Sequence, residues 1–271
     1  MSLKILSWNI WFHADLKKVN DFLENFNGDI LGLQEVTMVD KKVQVSKRLT
    51  DELGYKYVYA PAFQFPLNGV PTNIGNAIYS KYPIIESYIH NLSENENRVA
   101  VQADVQIGSK TLHVFNTHLL HTHQQPSELQ DLQAANLAKV LYPSYAGLQH
   151  IGLSKQLRGV HPEQFNLKGY TRANSFASGI TPRKTVLMGD FNALPQSNVI
   201  RIISKVLKNT DPNSLPTWSV YPEGCGKCSP KGIIYKLDNI FTSQDIKGSA
   251  FKVEKSQASD HLPISAVVEL W

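Results

Sequence analysis

Carboxylates, carboxamides and imidazoles recur at the ends of apolar runs in this chain: Asn9, Glu35, His118, Asp190 with Asn192, Asp238, and Asp260 with His261. Carboxylate and amide oxygens are hard donors, suited to Mg²⁺ or Mn²⁺ and poorly suited to a structural zinc site. An imidazole beside such a cation adds a group that can take or give a proton. Together they form the equipment for attacking a phosphate ester. Any one of these residues taken alone reads as a turn residue or a satisfied structural histidine. The recurrence is what argues for chemistry.

Such groups converge only if the elements that carry them share an edge. The clearest is Val186-Leu187-Met188 followed by Gly189-Asp190-Phe191-Asn192. The apolar run predicts a buried strand, and residues two apart at its end face one space. Ile5, Leu6 and Trp8 predict a strand ending at Asn9. Asp15 then caps a helix with Val19, Phe22, Leu23 and Phe26 on one face, closed at Gly28. Ile30-Leu31-Gly32-Leu33 follows as a strand ending in Gln34 and Glu35, so strand, helix and strand form a crossover unit. A helix is expected over 43–53, a strand over 55–60 and a loop over 61–72. Alternation in 98–105 and 111–118 adds antiparallel strands, the second ending at Asn116 and His118. Helices are expected over 127–142 and about 197–207, and late strands around Leu237-Asp238-Asn239-Ile240-Phe241 and 264–270.

Five motifs in order, Ser7-Trp8-Asn9, Leu33-Gln34-Glu35-Val36, Asn116-Thr117-His118-Leu119, Gly189-Asp190-Phe191-Asn192 and Ser259-Asp260-His261, resemble those of the endonuclease/exonuclease/phosphatase (DNase I-like) superfamily. The segments 73–80, with Asn76, and 237–241 resemble its accessory motifs. The resemblance covers essentially the whole chain. It implies a four-layer α/β sandwich: two mixed, mostly antiparallel β-sheets packed face to face, with helices outside. It also implies Glu35 as the main metal carboxylate for Mg²⁺ (or Mn²⁺), assisted by Asn9 and Asp260. His261, oriented by Asp238, would take a proton from the attacking water or bind the phosphate. His118 and Asn192 would donate to the phosphoryl oxygens, and Asp190 would orient the nucleophile or assist the leaving group. Asn76 and Arg98 are candidate substrate contacts, Arg98 also reading as an exposed charge at a strand start. The implied activity is hydrolysis of a phosphate ester, with a nuclease or phosphodiesterase acting on DNA or RNA foremost. A phospholipid headgroup or a small inositol or sugar phosphate is the alternative, and a non-catalytic binding module comes last. Trp11 stands where the abasic-site endonucleases of the superfamily carry an acidic or amide residue, which turns the reading away from that repair chemistry.

The formal charge of +4 is compatible with a polyanionic substrate. One domain is expected, with an irregular insertion at about 143–183 whose basic and aromatic residues suit a nucleic-acid strand or a lid. His118, His121 and His123 (H-x-x-H-x-H) invite a zinc reading, but no acidic ligand lies close by in sequence, which favours a substrate-loop or solvated role. Cys225 and Cys228, the only two cysteines, read first as loop thiols, with a bridging disulfide or a metal contact as the alternative. The loop at 59–71, with Phe63 and Phe65, is the candidate feature for a membrane lipid. No obligate protein partner is evident. The start at Lys4-Ile5-Leu6 reads as a strand and not as a secretory leader, so the expected compartment is cytoplasmic.

Overall fold

The computed structural model describes residues 1–40, 42–93, 98–141, 157–158, 183–218 and 234–270. Strand β1 (Ser2–Asn9) leads through helix α1 (Leu16–Phe26) to β2 (Ile30–Val39), which lies parallel to β1. Asp15 caps α1 by accepting from Lys17 N, as the sequence predicts. The left-handed residue that ends it is Asn27 (φ +50°), one place before the glycine expected to do so.

The expected 43–53 helix is shorter. Its start pairs instead as β3 (Lys42–Val43) against β2, and α2 covers Ser46–Asp51. The expected 61–72 loop is a long antiparallel hairpin of β4 (Lys56–Leu67) and β5 (Val70–Ser80). Pro61 and Pro66 argue against a central strand, but β4 is the edge of its sheet, where a missing N–H costs nothing. Asn68-Gly69, both at positive φ, form the tight turn.

The next strands are β6 (Ile84–Asn91), β7 (Val99–Ile107) and β8 (Lys110–His118), all antiparallel neighbours. Then come α3 (Glu128–Val140), β9 (Leu157–Arg158), β10 (Thr185–Asp190), α4 (Asn198–Ser204), β11 (Lys208–Asn209), β12 (Asp238–Thr242), β13 (Lys247–Val253) and β14 (Ile264–Glu269). One sheet runs β13-β14-β1-β2-β5-β4 with β3 attached to β2, the other β11-β12-β10-β8-β7-β6-β9. Antiparallel pairs predominate, with β1–β2 and β8–β10 parallel. The insertion at 143–183, apart from 157–158 and Arg183, lies outside the described residues, as do Cys225 and Cys228. No helix among the described residues is long and apolar enough to cross a membrane.

The chain is a four-layer α/β sandwich. Leu3, Ile5, Ile30, Val101, Val114, Val186, Met188 and Ile240 fill the space between the sheets. Leu6, Trp8, Leu31 and Leu33 face the opposite way, under α1 and α2. Phe115, Leu187 and Phe241 do the same under α3 and α4. Alternation along each strand therefore fixes which residues look into the sandwich. Continued past the apolar part, the same side carries Asn9 on β1, His118 on β8, Asp190 on β10 and Asp238 on β12. The interior is apolar along most of its length and polar at one end.

Two glycines permit this packing. A Cβ on Gly32 would overlap Met188 of the facing sheet, and one on Gly189 would overlap the Thr117 carbonyl oxygen of the neighbouring strand. Just inside the polar end, Asn116 stitches the sheets. It donates to Leu33 O (2.8 Å) and Ala77 O (2.9 Å) and accepts from Gln34 Nε2.

Candidate active site

A cavity of about 870 Å³ opens at the polar end and is lined by Asn9, Glu35, Arg98, His118, Asp190, Asn192, Asp260 and His261, with Trp11, Phe12, His13, Phe63, His121 and Trp218 around them. Glu35 and His261, 226 residues apart in the sequence, thus face one space. Asp238 lies directly beneath, fully buried. Asn76 does not reach the cavity. Its Nδ2 donates to Val99 O (2.9 Å) in the interior, so its role here is to tie β5 to the backbone where β7 begins.

Glu35 arrives by an irregularity. Leu31, Leu33 and Val36 all face the helix layer, so two residues occupy the interval where regular alternation allows one. The β2–β5 register slips between Leu33 and Val36, and Glu35 takes a left-handed φ of +57°. This bulge turns its carboxylate to the rim. Phe12 N donates to its Oε2 (3.1 Å) and Asn9 Nδ2 to its Oε1 (3.1 Å).

Asn9 also donates Nδ2 to Asp190 Oδ2 (3.1 Å), while its own Oδ1 accepts from Trp11 N (3.0 Å). That last bond fixes the amide's orientation, so Asn9 meets the carboxylates with its nitrogen and bridges them. The carboxylates of Glu35, Asp190 and Asp260 line the cavity; Asp190 lies against His261, which leaves Glu35 and Asp260 as the pair for a hard cation. Burial, and next the Asp260 charge, raise the Glu35 carboxyl to about 7, against the Asn9 and Phe12 bonds that favour its ionised form. Two acidic groups crowded at a buried rim fit a divalent cation, which would replace their repulsion with attraction. Asp260 Oδ2 is oriented by Trp218 Nε1 (3.3 Å), whose ring stacks on Tyr235.

His261 is held from three sides. Its Nδ1 meets Asp238 Oδ2 at 2.8 Å, its carbonyl accepts from Trp8 Nε1 (3.0 Å), and its N–H is held by Ser259 Oγ (3.2 Å). Burial alone would lower its pKa, but the carboxylates of Asp238 and Asp190 outweigh that and hold it above the ordinary value. Its Nε2 lies 3.6 Å from Asp190 Oδ2. Asp190 is itself raised by burial, with the nearby His261 pulling the other way. Asp190 Oδ1 accepts from Asn192 N (2.8 Å). One ligand atom from each of Asp190, Asp238 and His261 lies within 4.8 Å of the others, but an imidazole–carboxylate hydrogen bond already joins two of them.

On the other wall, Asn192 Nδ2 donates to Leu119 O (3.1 Å) and meets His118 Nε2 at 3.0 Å. An amide nitrogen only donates, so His118 Nε2 is the unprotonated nitrogen of this network. Burial, then the charges of Arg98 and His261, hold the His118 imidazole well below its ordinary value and so neutral. His118 therefore positions Asn192 in this arrangement, with Asp190 Oδ2 3.5 Å from the same ring nitrogen. The Arg98 guanidinium sits 5.4 Å from the centre of the Phe63 ring. Sequence reasoning missed Phe12, His13 and Trp218 as wall residues. They come from loops without periodicity, where no spacing signal exists.

The sequence model of the Endonuclease/Exonuclease/phosphatase family matches residues 6–261. No curated protein matches the chain. Among solved structures, an endonuclease/exonuclease/phosphatase from Beutenbergia cavernae has a TM-score of 0.67 at 17% identity over 99% of this chain and 72% of its own. The human Nocturnin catalytic domain with bound sulfate anion has a TM-score of 0.63 at 17% identity, covering 100% of this chain and 95% of that one. ANGEL2, a 2′,3′-cyclic phosphatase in complex with adenosine-2′,3′-vanadate, gives 0.64 at 16% identity, over 100% of this chain and 96% of that one. At these identities the likeness is one of fold.

Proposed function

The chain belongs to the endonuclease/exonuclease/phosphatase family, and on that premise we propose that it is a divalent-metal-dependent hydrolase of phosphate esters, a phosphodiesterase whose leading substrate is DNA or RNA. One observation carries the reading. The Glu35 and Asp260 carboxylates and the Asp190–His261 contact share one cavity.

Mg²⁺ or Mn²⁺ held by Glu35 and Asp260 would draw charge from the phosphoryl oxygens. The chain's own residues account for the rest. Asp190 is placed by Asn9 Nδ2 and Asn192 N to accept the proton of an attacking water. His261, kept protonated by its carboxylate neighbours, offers Nε2–H to a phosphoryl oxygen. The Arg98 cation supplies further positive potential where charge grows, while both Asn192 Nδ2 hydrogens are committed to His118 Nε2 and Leu119 O.

For the substrate, Trp11, Phe12, Phe63 and Trp218 offer rings on which bases can stack, beside the Arg98 cation. A cavity of this volume suits a nucleotide-sized group. ANGEL2, of the same fold, holds a nucleoside vanadate. A lipid headgroup is the second reading, favoured by Phe65 and Val70, both exposed near the hairpin turn.

The deciding experiment incubates the protein with oligonucleotides, phospholipid vesicles, and inositol and sugar phosphates, with Mg²⁺, Mn²⁺ or EDTA. Metal-dependent cutting of an oligonucleotide is expected. Release of headgroup from vesicles with oligonucleotides untouched would select the lipid reading. Absence of turnover on every ester would remove the proposal.

A further inference from the structure

His121 and His123 are left over by that mechanism. Both are exposed, and His121 lines the cavity's mouth. His121 Nε2 and His123 Nδ1 lie 3.3 Å apart, with the rings near perpendicular at 81°. Two nitrogens each about 2.0–2.1 Å from a tetrahedral ion are about 3.3–3.4 Å apart, so the pair already stands at the bite of a small transition-metal ion.

A second observation bears on the same pair. His121 Nδ1 lies 3.0 Å from Asn192 Oδ1. The Asn192 amide cannot be turned over, because its oxygen would then face the Leu119 carbonyl. His121 therefore carries its proton on Nδ1 and presents a lone pair on Nε2 toward His123. A ligating histidine typically has this outer partner, which fixes tautomer and ring together. The loop is also held in shape. His123 and Gln124 both take left-handed φ values, +50° and +58°. The turn around them is closed by Gln125 N to Thr122 O (3.0 Å) and Thr122 Oγ1 to Gln125 O (2.8 Å). Consecutive residues in that region without glycine are strained, and strain of this kind gathers at ligand-binding positions.

We propose that His121 Nε2 and His123 Nδ1 form a second metal site at the lip of the cavity, selective for a borderline divalent ion of the Zn²⁺ class. Two imidazoles without a carboxylate discriminate against Mg²⁺, which keeps to the oxygen donors of Glu35 and Asp260. On binding, His123 moves its proton from Nδ1 to Nε2, and the ion takes the place of the hydrogen bond between the rings. Its remaining coordination positions are open to water or to a phosphate oxygen entering the cavity. Occupancy pins His121 and, through it, the Asn192 amide.

The test needs no turnover, so its outcome is independent of the hydrolase reading. Co²⁺ is titrated into the protein in excess Mg²⁺, in a background with Cys225→Ser and Cys228→Ser, and the visible d–d absorption of tetrahedral Co²⁺ is followed. One ion per chain is expected, displaced by Zn²⁺, with His123→Ala weakening binding at least tenfold. His123→Gln, which keeps a polar side chain of similar reach, should weaken it as much. Binding unchanged in both variants places the ion elsewhere and overturns the proposal, as does absence of a tetrahedral Co²⁺ spectrum in the parent protein.

Discussion

His261 and Asp238 meet at 2.8 Å through Nδ1 and Oδ2 in a contact closed to solvent, although Asp238 lines no part of the cavity. The carboxylate acts through the ring. It fixes which nitrogen faces Asp190 and stabilises the charge on the imidazole. Asp238→Asn keeps the shape and loses both effects. Turnover should fall about 10³–10⁴-fold with substrate binding little changed. An equal loss in kcat and binding, or none, would contradict this role.

Glu35 is the carboxylate that the bulge brings to the rim. Glu35→Ala should lower activity about a thousandfold, and EDTA should abolish it in the parent protein with recovery on adding Mg²⁺ or Mn²⁺. Full activity in either case removes the metal from the mechanism.

Asn116 should matter to stability more than to chemistry. Asn116→Leu leaves Leu33 O and Ala77 O buried without their donor, and a buried unsatisfied polar group costs about 1–3 kcal/mol. Urea denaturation should show a loss of about 2–6 kcal/mol for the two carbonyls together, with an unchanged slope. A midpoint equal to that of the parent would mean that other groups satisfy those carbonyls.

Gly32 and Gly189 separate two kinds of close approach. Gly32→Ala meets the flexible end of Met188, so Met188→Ala should partly rescue it in a double-mutant cycle. Gly189→Ala meets the Thr117 carbonyl, which no side-chain change can move. It should displace Asp190 and abolish activity even where the protein still folds. Retained activity in Gly189→Ala would show that the strand yields.

His90 gives a pH dependence remote from the cavity. Burial lowers its pKa from the ordinary 6.5, opposed by its bond to Gln102 and by Asp104 beyond it, while the Tyr88 and Phe115 rings flank it. The unfolded chain therefore takes up a proton at higher pH than the folded one. The contribution of His90 to stability should fall as pH drops below about 6.5. His90→Gln should flatten that fall in denaturation curves taken between pH 8 and pH 5. A parallel fall in the variant would assign the effect to other groups.

What could be read in advance followed regularity. Period-two alternation on β1, β8, β10 and β12 puts Asn9, His118, Asp190 and Asp238 on the inward side, and their strands are apolar enough to be seen. Glu35 follows no such rule, because one extra residue reverses its face and alternation alone would send it to the helix layer. The β4–β5 hairpin was obscured by its prolines, although Asn68-Gly69 was a legible turn. Asn76 resembles a site residue in its motif, yet it sits inside β5, four residues from the strand's end. Trp218 and Phe12 come from irregular segments, where only tertiary packing decides what a ring touches.

The polar groups of the candidate site arrive from both sheets. Asn9, Glu35, Asp260 and His261 come with the strands or flanking turns of one, and His118, Asp190, Asn192 and Asp238 with those of the other. Neither sheet carries the whole set. The bonds Asp238–His261 and Asn9–Asp190 both cross from one sheet to the other, so a slip of one sheet against its partner would part carboxylate from imidazole while leaving each sheet whole.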